Sequence, residues 1–303
     1  MPKHYIGIDG GGTHSRLAAI GVDKEILART SGGSTNLNSL SEYAVSCNIQ
    51  TLLDPIEDAG IRLRDCLGIC IGSAGASTGD NAALLDEIFR DIGYTCKVKV
   101  MNDAELVLTT ETGGKPGVII VSGTGSVGYA VDKNGAIIRA GGWGHIIDDG
   151  GSGYRIGMDA IKAAMMAYDG RGQQTMLASM VAEFLGFDSL DQVTSYVYGI
   201  DFAKAKIAEV AMLVAYAASQ GDTVAIAIEK HAAAEIVDLA RALITKAQLQ
   251  NDEYKLVLNG GVVLHNKNIS SIVETEISSI FPKIQIVQVS QSAELGAAYL
   301  AMG

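Results

Sequence analysis

Residues 5 to 8, Tyr-Ile-Gly-Ile, form a short apolar run that predicts a buried strand. The run ends in Asp9-Gly10-Gly11-Gly12-Thr13, and a strand pattern resumes over Ser15-Arg16-Leu17-Ala18-Ala19-Ile20. Asp23-Lys24 turns the chain into a third strand over 26–30, so the opening reads as three antiparallel strands joined by a glycine turn and a polar turn. A helix is predicted from about Leu40 to Ala59, entered through Ser39-x-x-Glu42, which has capping-box spacing, with Pro55 expected to break or kink it. Leu67 to Ile71 predict a strand ending in Gly72-Ser73-Ala74-Gly75; Asn81 to Ile92 are periodic helix; Val98 to Met101 are a strand, and Asn102-Asp103 lead into another helix. Strands alternating with helices behind a three-strand start indicate a mixed α/β sheet.

The pattern restarts after Gly113-Gly114-Lys115-Pro116. Val118 to Val121 read as a strand, Ser122-Gly123-Thr124-Gly125-Ser126 as a glycine turn, and Tyr129 to Val131 as a strand, with Asp132-Lys133 standing where Asp23-Lys24 stood. This echo predicts an internal duplication with a boundary near residues 113–117. A glycine-dense loop over 141–153 precedes an alanine-rich helical region from about Arg155 to Lys246. Leu256 to Leu258 form a strand ending in Asn259-Gly260-Gly261, Ile284 to Val289 are the last strand, and Glu294 to Met302 a closing helix.

Composition narrows the class. The chain has 303 residues, 48% hydrophobic and 19% charged, which suits packed cores and is too poor in charge for disorder or coiled coil. Its net charge of −11 disfavours a nucleic-acid or anionic membrane partner. No apolar run reaches the roughly 20 residues of a membrane span, and Met1-Pro2-Lys3-His4 lead straight into strand-like sequence, so a cytosolic protein is expected. Cys47, Cys66, Cys70 and Cys96 form no C-x-x-C pair and all four fall in predicted helix or strand; Cys66 and Cys70 sit in an apolar strand-like segment, where buried thiol is the simplest role. The 36 glycines exceed the roughly 21 that ordinary usage near 7% would give, and the surplus is clustered.

The clusters suit phosphate binding, because glycine lets backbone N–H groups approach an anion closely. The turns at 10–13 and 123–126 each add hydroxyls, Thr13 and Ser15 in one and Thr124 and Ser126 in the other. Neither carries the lysine of a P-loop, so bound ATP would be held by β-hairpins, with its charge offset by a divalent ion. Asp9, at the end of the first strand, is the carboxylate placed to hold that ion's water shell. Gly123-Thr124-Gly125-Ser126-Val127-Gly128 also spell G-x-G-x-x-G, but a dinucleotide fingerprint must open a helix, and here Tyr129 to Val131 alternate toward the hairpin signal Asn134-Gly135.

The Asp9–Ala19 hairpin, the Ser122–Val131 hairpin, Asn259-Gly260-Gly261 and the helix at Glu294-Leu295-Gly296-Ala297-Ala298 resemble the two phosphate motifs, the adenosine motif and the connecting motif of the actin, Hsp70 and sugar-kinase superfamily. Gly141-Gly142-Trp143-Gly144-His145, followed by Asp149 and Gly151-Ser152-Gly153, is similar to the N-acetylglucosamine kinase branch of the BadF/BadG/BcrA/BcrD ATPase family. The resemblance implies two duplicated α/β domains of the ribonuclease H-like, actin-like ATPase type with a central cleft. One comprises residues 1–114 with 291–303; the other comprises 115–290, with a helical insertion over about 155–250.

It further implies Asp103 as general base, Asp9 as the residue orienting hydrated Mg2+, and Gly11, Gly12, Thr13, Gly123, Thr124 and Gly125 as phosphate-binding positions of ATP. Gly260 and Gly261 would lie beneath the adenosine, and Asn36, Ser73, Gly142, Trp143 and Asp149 would meet an amino sugar. Taken alone, Asp103 also reads as the N-cap of a helix starting at Ala104, and Asn36 as a turn former. One segment departs from the family, which commonly has Gly-Asp-Glu-Gly-Ser where this chain reads Asp148-Asp149-Gly150-Gly151-Ser152. Either Asp148 substitutes for the missing glutamate from the other side, or this member treats its sugar differently.

The expected activity is ATP-dependent phosphorylation of an N-acetylated hexosamine at the 6-hydroxyl, with the cleft closing to exclude water. N-acetylglucosamine, N-acetylmuramic acid and glucosamine differ in one substituent and stay open. The competing readings are an ATPase activator of a CoA-ester dehydratase, which needs iron–sulfur cysteines in loops, and a non-enzymatic nucleotide switch. Dimers are frequent in the family, so a homodimer is an open option.

Overall fold

The protein is described by a computed structural model covering residues 3–200, 202–289 and 292–303. Met1 and Pro2, on which part of the N-terminal reading rests, and position 291, the expected start of the returning segment, lie outside the described residues.

The chain divides into two compact units, Met1–Lys115 with Val289–Gly303, and Pro116–Gln288. In the first, β1 (His4–Gly10), β2 (His14–Gly21) and β3 (Ile26–Gly33) lead to α1 (Glu42–Asp58), β4 (Cys66–Ser73), α2 (Asn81–Ile92), β5 (Lys97–Met101) and α3 (Asp103–Thr112). The second contains β6 (Gly117–Ser122), β7 (Ser126–Val131), β8 (Ile137–Gly141), α4 (Gly153–Tyr168), α5 (Leu177–Leu185), α6 (Gln192–Val197), α7 (Lys204–Glu209), α8 (Ala211–Ser219), α9 (Thr223–Lys246), β9 (Tyr254–Asn259), α10 (Gly261–His265), α11 (Lys267–Ile280) and β10 (Ile284–Gln288). The helix α12 (Ala293–Ala301) belongs to the first unit, where it packs on β1, β2, β4 and α3.

The duplication is visible in the strand order. The first sheet runs β3-β2-β1-β4-β5 and the second β8-β7-β6-β9-β10. In each, an antiparallel three-strand meander is extended by two strands parallel to its first member. The strands β1, β4 and β5 therefore end on one edge, with Asp9 beside Gly72 and Gly72 beside Met101. In open α/β sheets, the carboxyl ends of parallel strands are where ligands bind.

The sheet of the first unit buries Ile6, Ile8, Leu17, Ile69 and Ile71 against Ile49, Leu52 and Phe89 of its helices. Each such side chain contributes roughly 1.5–3 kcal/mol. In the second unit, Ala160 and Ala164 of α4 and Ala233 and Ala240 of α9 are fully buried, so the alanine-rich stretch is a set of helices packed closely through small side chains.

Two local expectations change. The cap of α1 is Ser41, whose Oγ accepts from the Ala44 amide at 3.3 Å, while the Ser39 hydroxyl donates to the Asn36 carbonyl. The helix also runs unbroken through Pro55 to Asp58. Pro55 sits in the last turn, where only one helical hydrogen bond is lost.

Candidate functional site

In the first unit, the candidate side chains gather at the carboxyl ends of β1, β4 and β5. Asp9 is the penultimate residue of β1 and is half-buried. Its carboxyl pKa is lifted from the ordinary 3.8 to about 6, first by burial and then by the negative charges of Asp103 and Glu294, with Arg16 of β2 acting the other way. Glu294, from α12, is buried and its Oε2 has no hydrogen-bond partner among the described residues. Asp103 follows β5 directly as the first residue of α3, and burial raises its pKa also.

The cap of α3 is Asn102, which corrects the reading of Asp103 as that cap. The Asn102 side chain accepts from Ala104 N–H at 3.0 Å, and Glu105 completes the capping box. The helix lies close to the sheet because position 72 has no side chain: a Cβ there would fall 2.6 Å from the Leu106 Cβ. Gly72 thus lets α3 approach the strand beside Asp9.

The β1–β2 turn is closed by the Gly11 amide donating to the His14 carbonyl at 3.0 Å, and it leaves Gly12 and Thr13 exposed. Ser15 is different from what its place in the turn suggested: it is fully buried, because β2 begins at His14 and the pleat turns position 15 inward. Asn36 packs against Gly75, and its Oδ1 accepts from the Asn38 amide at 2.9 Å. Ser73 is fully buried, with its hydroxyl 2.9 Å from the Thr35 hydroxyl and donating to the Thr35 carbonyl at 3.0 Å. The structure therefore brings Asn36 and Ser73 together but turns the Ser73 hydroxyl inward, onto the loop segment after β3 that leads to Asn36.

In the second unit, the β6–β7 turn is held by the Gly123 amide donating to the Gly125 carbonyl at 2.9 Å. The amides of Gly153 and Tyr154, at the start of α4, donate back to the carbonyls of Gly123 and Thr124. Thr124 is exposed, whereas Ser126 is buried and donates to the Gly150 carbonyl at 2.6 Å, so only the threonine of this turn presents a hydroxyl. A cavity of about 630 Å³ opens beside the turn. Gly123, Thr124 and Gly261 line it together with Ile156, Ala208, Ala211, Met212 and Val262. Glycine backbone at one side and an apolar slot beyond suit a phosphate chain and a flat, weakly polar ring. Gly260, adjoining Gly261, has φ +97°.

The loop after β8 carries the remaining expected residues. Trp143 is 65% exposed and stacks on the Arg139 guanidinium, whose Nη2 also donates to the Gly142 carbonyl. Asp148 accepts from the Trp143 amide at 3.4 Å. Asp149 is 4% exposed, has φ +63°, and forms an ion pair with Lys204 of α7 at 2.8 Å. Its carboxylate also lies against Gly125, so Asp149 joins the loop to the phosphate-type turn.

Lys204 was not legible as a site residue: it sits 55 positions from Asp149 in a helical stretch with no motif of its own. Glu235 was missed for the same reason, yet its Oε2 accepts from the Gly151 amide at 2.7 Å. The cysteine reading needs one amendment, since Cys96 lies in the bend before β5 rather than in a strand, 3.7 Å from the Cys66 sulfur. Among the described residues no cluster of side chains is arranged to hold a metal ion directly, and no helix is long and apolar enough to cross a membrane.

Comparison with known proteins places this architecture. The chain is 34% identical over 300 residues to the N-acetylmuramic acid/N-acetylglucosamine kinase of Clostridium acetobutylicum, covering 99% of this chain and 98% of that one. It is 28% identical to the N-acetyl-D-glucosamine kinase of Dictyostelium discoideum, covering 98% and 97%. Among solved structures, a Chromobacterium violaceum protein assigned as an N-acetylglucosamine kinase superimposes with a TM-score of 0.78 at 26% identity, over 99% of each chain. The family pattern itself matches residues 6–301, and the chain belongs to the BadF/BadG/BcrA/BcrD ATPase family.

Proposed function

We propose that this chain transfers the γ-phosphoryl group of ATP to the 6-hydroxyl of an N-acetylated hexosamine, N-acetylglucosamine or N-acetylmuramic acid. The observation that carries the reading is the placement of Asp9 and Asp103 on one sheet edge, each with a carboxyl pKa raised by burial. The 34% identity to a kinase of those two sugars supplies the substrate class.

Asp103 accepts the proton of the sugar hydroxyl as its oxygen bonds to the γ-phosphorus and the bond from that phosphorus to the β–γ bridging oxygen breaks, leaving ADP. Removing such a base costs about two to four powers of ten in rate. Phosphoryl transfer otherwise depends on positioning and charge stabilisation. In the first unit, Gly12 and Thr13 offer backbone amides and an exposed hydroxyl to phosphate oxygens, on a turn whose Gly11 amide is used internally; in the second, Thr124 and Gly125 offer the same on a turn closed by the Gly123 amide. The cavity lined by Gly261 and the apolar slot beyond it takes the adenosine, with Gly260 adjoining.

A divalent cation fits the acidic edge. Asp9, Asp103 and Glu294 concentrate negative charge there, Glu294 Oε2 is buried without a partner among the described residues, and Arg16 is the one cation among the causes that act on Asp9. Asp9 would hold hydrated Mg2+, whose chemistry is neutralisation of charge on the transferring phosphoryl group. On the sugar side, Asn36 meets the hexosamine on a segment pinned by Ser73 through Thr35. Trp143, with the Gly142 backbone, offers a face to the ring and its N-acetyl group, and Asp149, oriented by Lys204, accepts from sugar hydroxyls.

The test is coupled ADP release with N-acetylglucosamine, N-acetylmuramic acid, glucosamine and glucose. Stimulation by an N-acetylated sugar supports the proposal; preference for glucosamine moves the substrate, and no stimulation by any sugar overturns it.

A further inference from the structure

In the 148–152 segment, Gly150 stands where the sequence resemblance leads to the expectation of a glutamate. Asp148 does not stand in for it, because its carboxylate faces the Trp143 amide. A different carboxylate occupies the place. A Cβ built on Gly150 would fall 2.9 Å from Glu235 Oε1 and 3.0 Å from its Cδ, so the Glu235 head group fills the volume into which a side chain at 150 would project. The other oxygen, Oε2, accepts from the Gly151 amide at 2.7 Å. Glu235 reaches this position from α9, 84 residues along the chain.

The consequence falls on Asp149. Its backbone is left-handed, a conformation that non-glycine residues hold only when their surroundings impose it. The next three residues supply that constraint. The Gly150 carbonyl takes the Ser126 hydroxyl, the Gly151 carbonyl takes the Ser122 hydroxyl at 2.7 Å, and the Ser152 amide returns to the Asp149 carbonyl at 3.1 Å. Both serine bonds tie the segment to the β6–β7 hairpin. The Glu235 bond ties it to α9, and it is the one charge-assisted bond of this set. His231, one helical turn earlier, lies 3.7 Å from Glu235 Oε1.

We propose that Glu235 is a positioning residue that replaces, from α9, the carboxylate missing at position 150, and holds Asp149 in the orientation in which it binds the sugar. This rests on the amino-sugar kinase reading for its sugar, but the anchor itself does not.

The experiment compares Glu235→Ala, Gly150→Glu and the double variant Glu235→Ala/Gly150→Glu. Each is measured for kcat and for KM of N-acetylglucosamine and ATP, and for amide hydrogen exchange at 149–152. Glu235→Ala is expected to raise the sugar KM about tenfold, as loss of a hydrogen bond to a charged group predicts. KM for ATP should change less than about twofold, and exchange at Gly151 should quicken. Gly150→Glu alone brings two carboxylates into one volume and is expected to do worse than Glu235→Ala. The double variant returns a single carboxylate to that volume, now from position 150 itself, and should recover the sugar KM to within about threefold of the parent.

The proposal is overturned if Glu235→Ala leaves the sugar KM and Gly151 exchange unchanged. It is also overturned if the double variant is no better than Glu235→Ala, which is what a merely structural role for α9 would give. If the parent protein phosphorylates no sugar, the kinase reading fails separately, and exchange at Gly151 still decides whether Glu235 is the anchor.

Discussion

Asn102 takes the helix cap that Asp103 would otherwise hold: its side chain accepts from the Ala104 amide at 3.0 Å and makes Asp103 the first residue inside α3. A neutral amide thereby does the structural work. Asn102→Ala should destabilise the protein by about 1 kcal/mol, the usual worth of a cap. Calorimetric melting checks this, and an unchanged transition would mean that Asp103, whose Oδ1 also receives the Ala104 amide at 2.9 Å, suffices as the cap.

Burial raises the Asp103 pKa, and a general base must be ionised to act. Lowering the pH through that raised value protonates the base, so kcat should fall tenfold per unit on the acid side, with its midpoint above the ordinary 3.8 of an aspartate. A pH profile of kcat at saturating sugar and ATP checks it. A flat profile down to pH 4 would remove Asp103 from the proton transfer.

The lifted Asp9 pKa has a sign that stability measurements can read. The folded state binds this proton more tightly than the unfolded chain does, so stability falls as pH rises from about 4 through about 6, and the cost persists above. Asp9→Asn should therefore raise the unfolding free energy by about 1–3 kcal/mol at pH 7.5 without nucleotide or divalent ions. The same change should sharply reduce phosphorylation, since Asp9 is the residue proposed to hold hydrated Mg2+. Denaturant unfolding at pH 4 and 7.5 gives the comparison, the gain being confined to the higher pH.

Asp149 and Lys204 form an ion pair with one buried and one partly exposed member. Lys204→Met leaves the carboxylate buried without its partner, and is expected to cost about 2 kcal/mol, below the full penalty for a wholly buried pair because Lys204 is 32% exposed. It should also raise the KM for N-acetylglucosamine. Trp143→Ala, at an exposed position, should raise that KM with little change in melting temperature.

The two sheets were legible because their signals are local. Apolar runs broken by Asp9-Gly10-Gly11-Gly12 and Gly123-Thr124-Gly125 mark strand, turn and strand within a dozen residues each, and the second copy repeats the first. The cap of α1 was misread because Ser39 and Ser41 are both competent, and only the turn that returns the Ser39 and Leu40 amides to the Asn36 carbonyl decides between them. Ser15 and Ser126 looked like turn hydroxyls because the position at which a strand's pleat begins is not written in a glycine-rich turn. Lys204 and Glu235 could not be read at all: each belongs to an alanine-rich helical stretch, and their contacts to Asp149 and Gly151 are long-range.

The central claim is that Asp103 is the base of a sugar kinase, and sugar-dependent ADP release by Asp103→Asn tests it most directly. The account predicts a variant that folds, binds ATP and N-acetylglucosamine near the parent affinities, and turns over about two to four powers of ten more slowly. A folded Asp103→Asn protein that retains most of its sugar-dependent ADP release would contradict it.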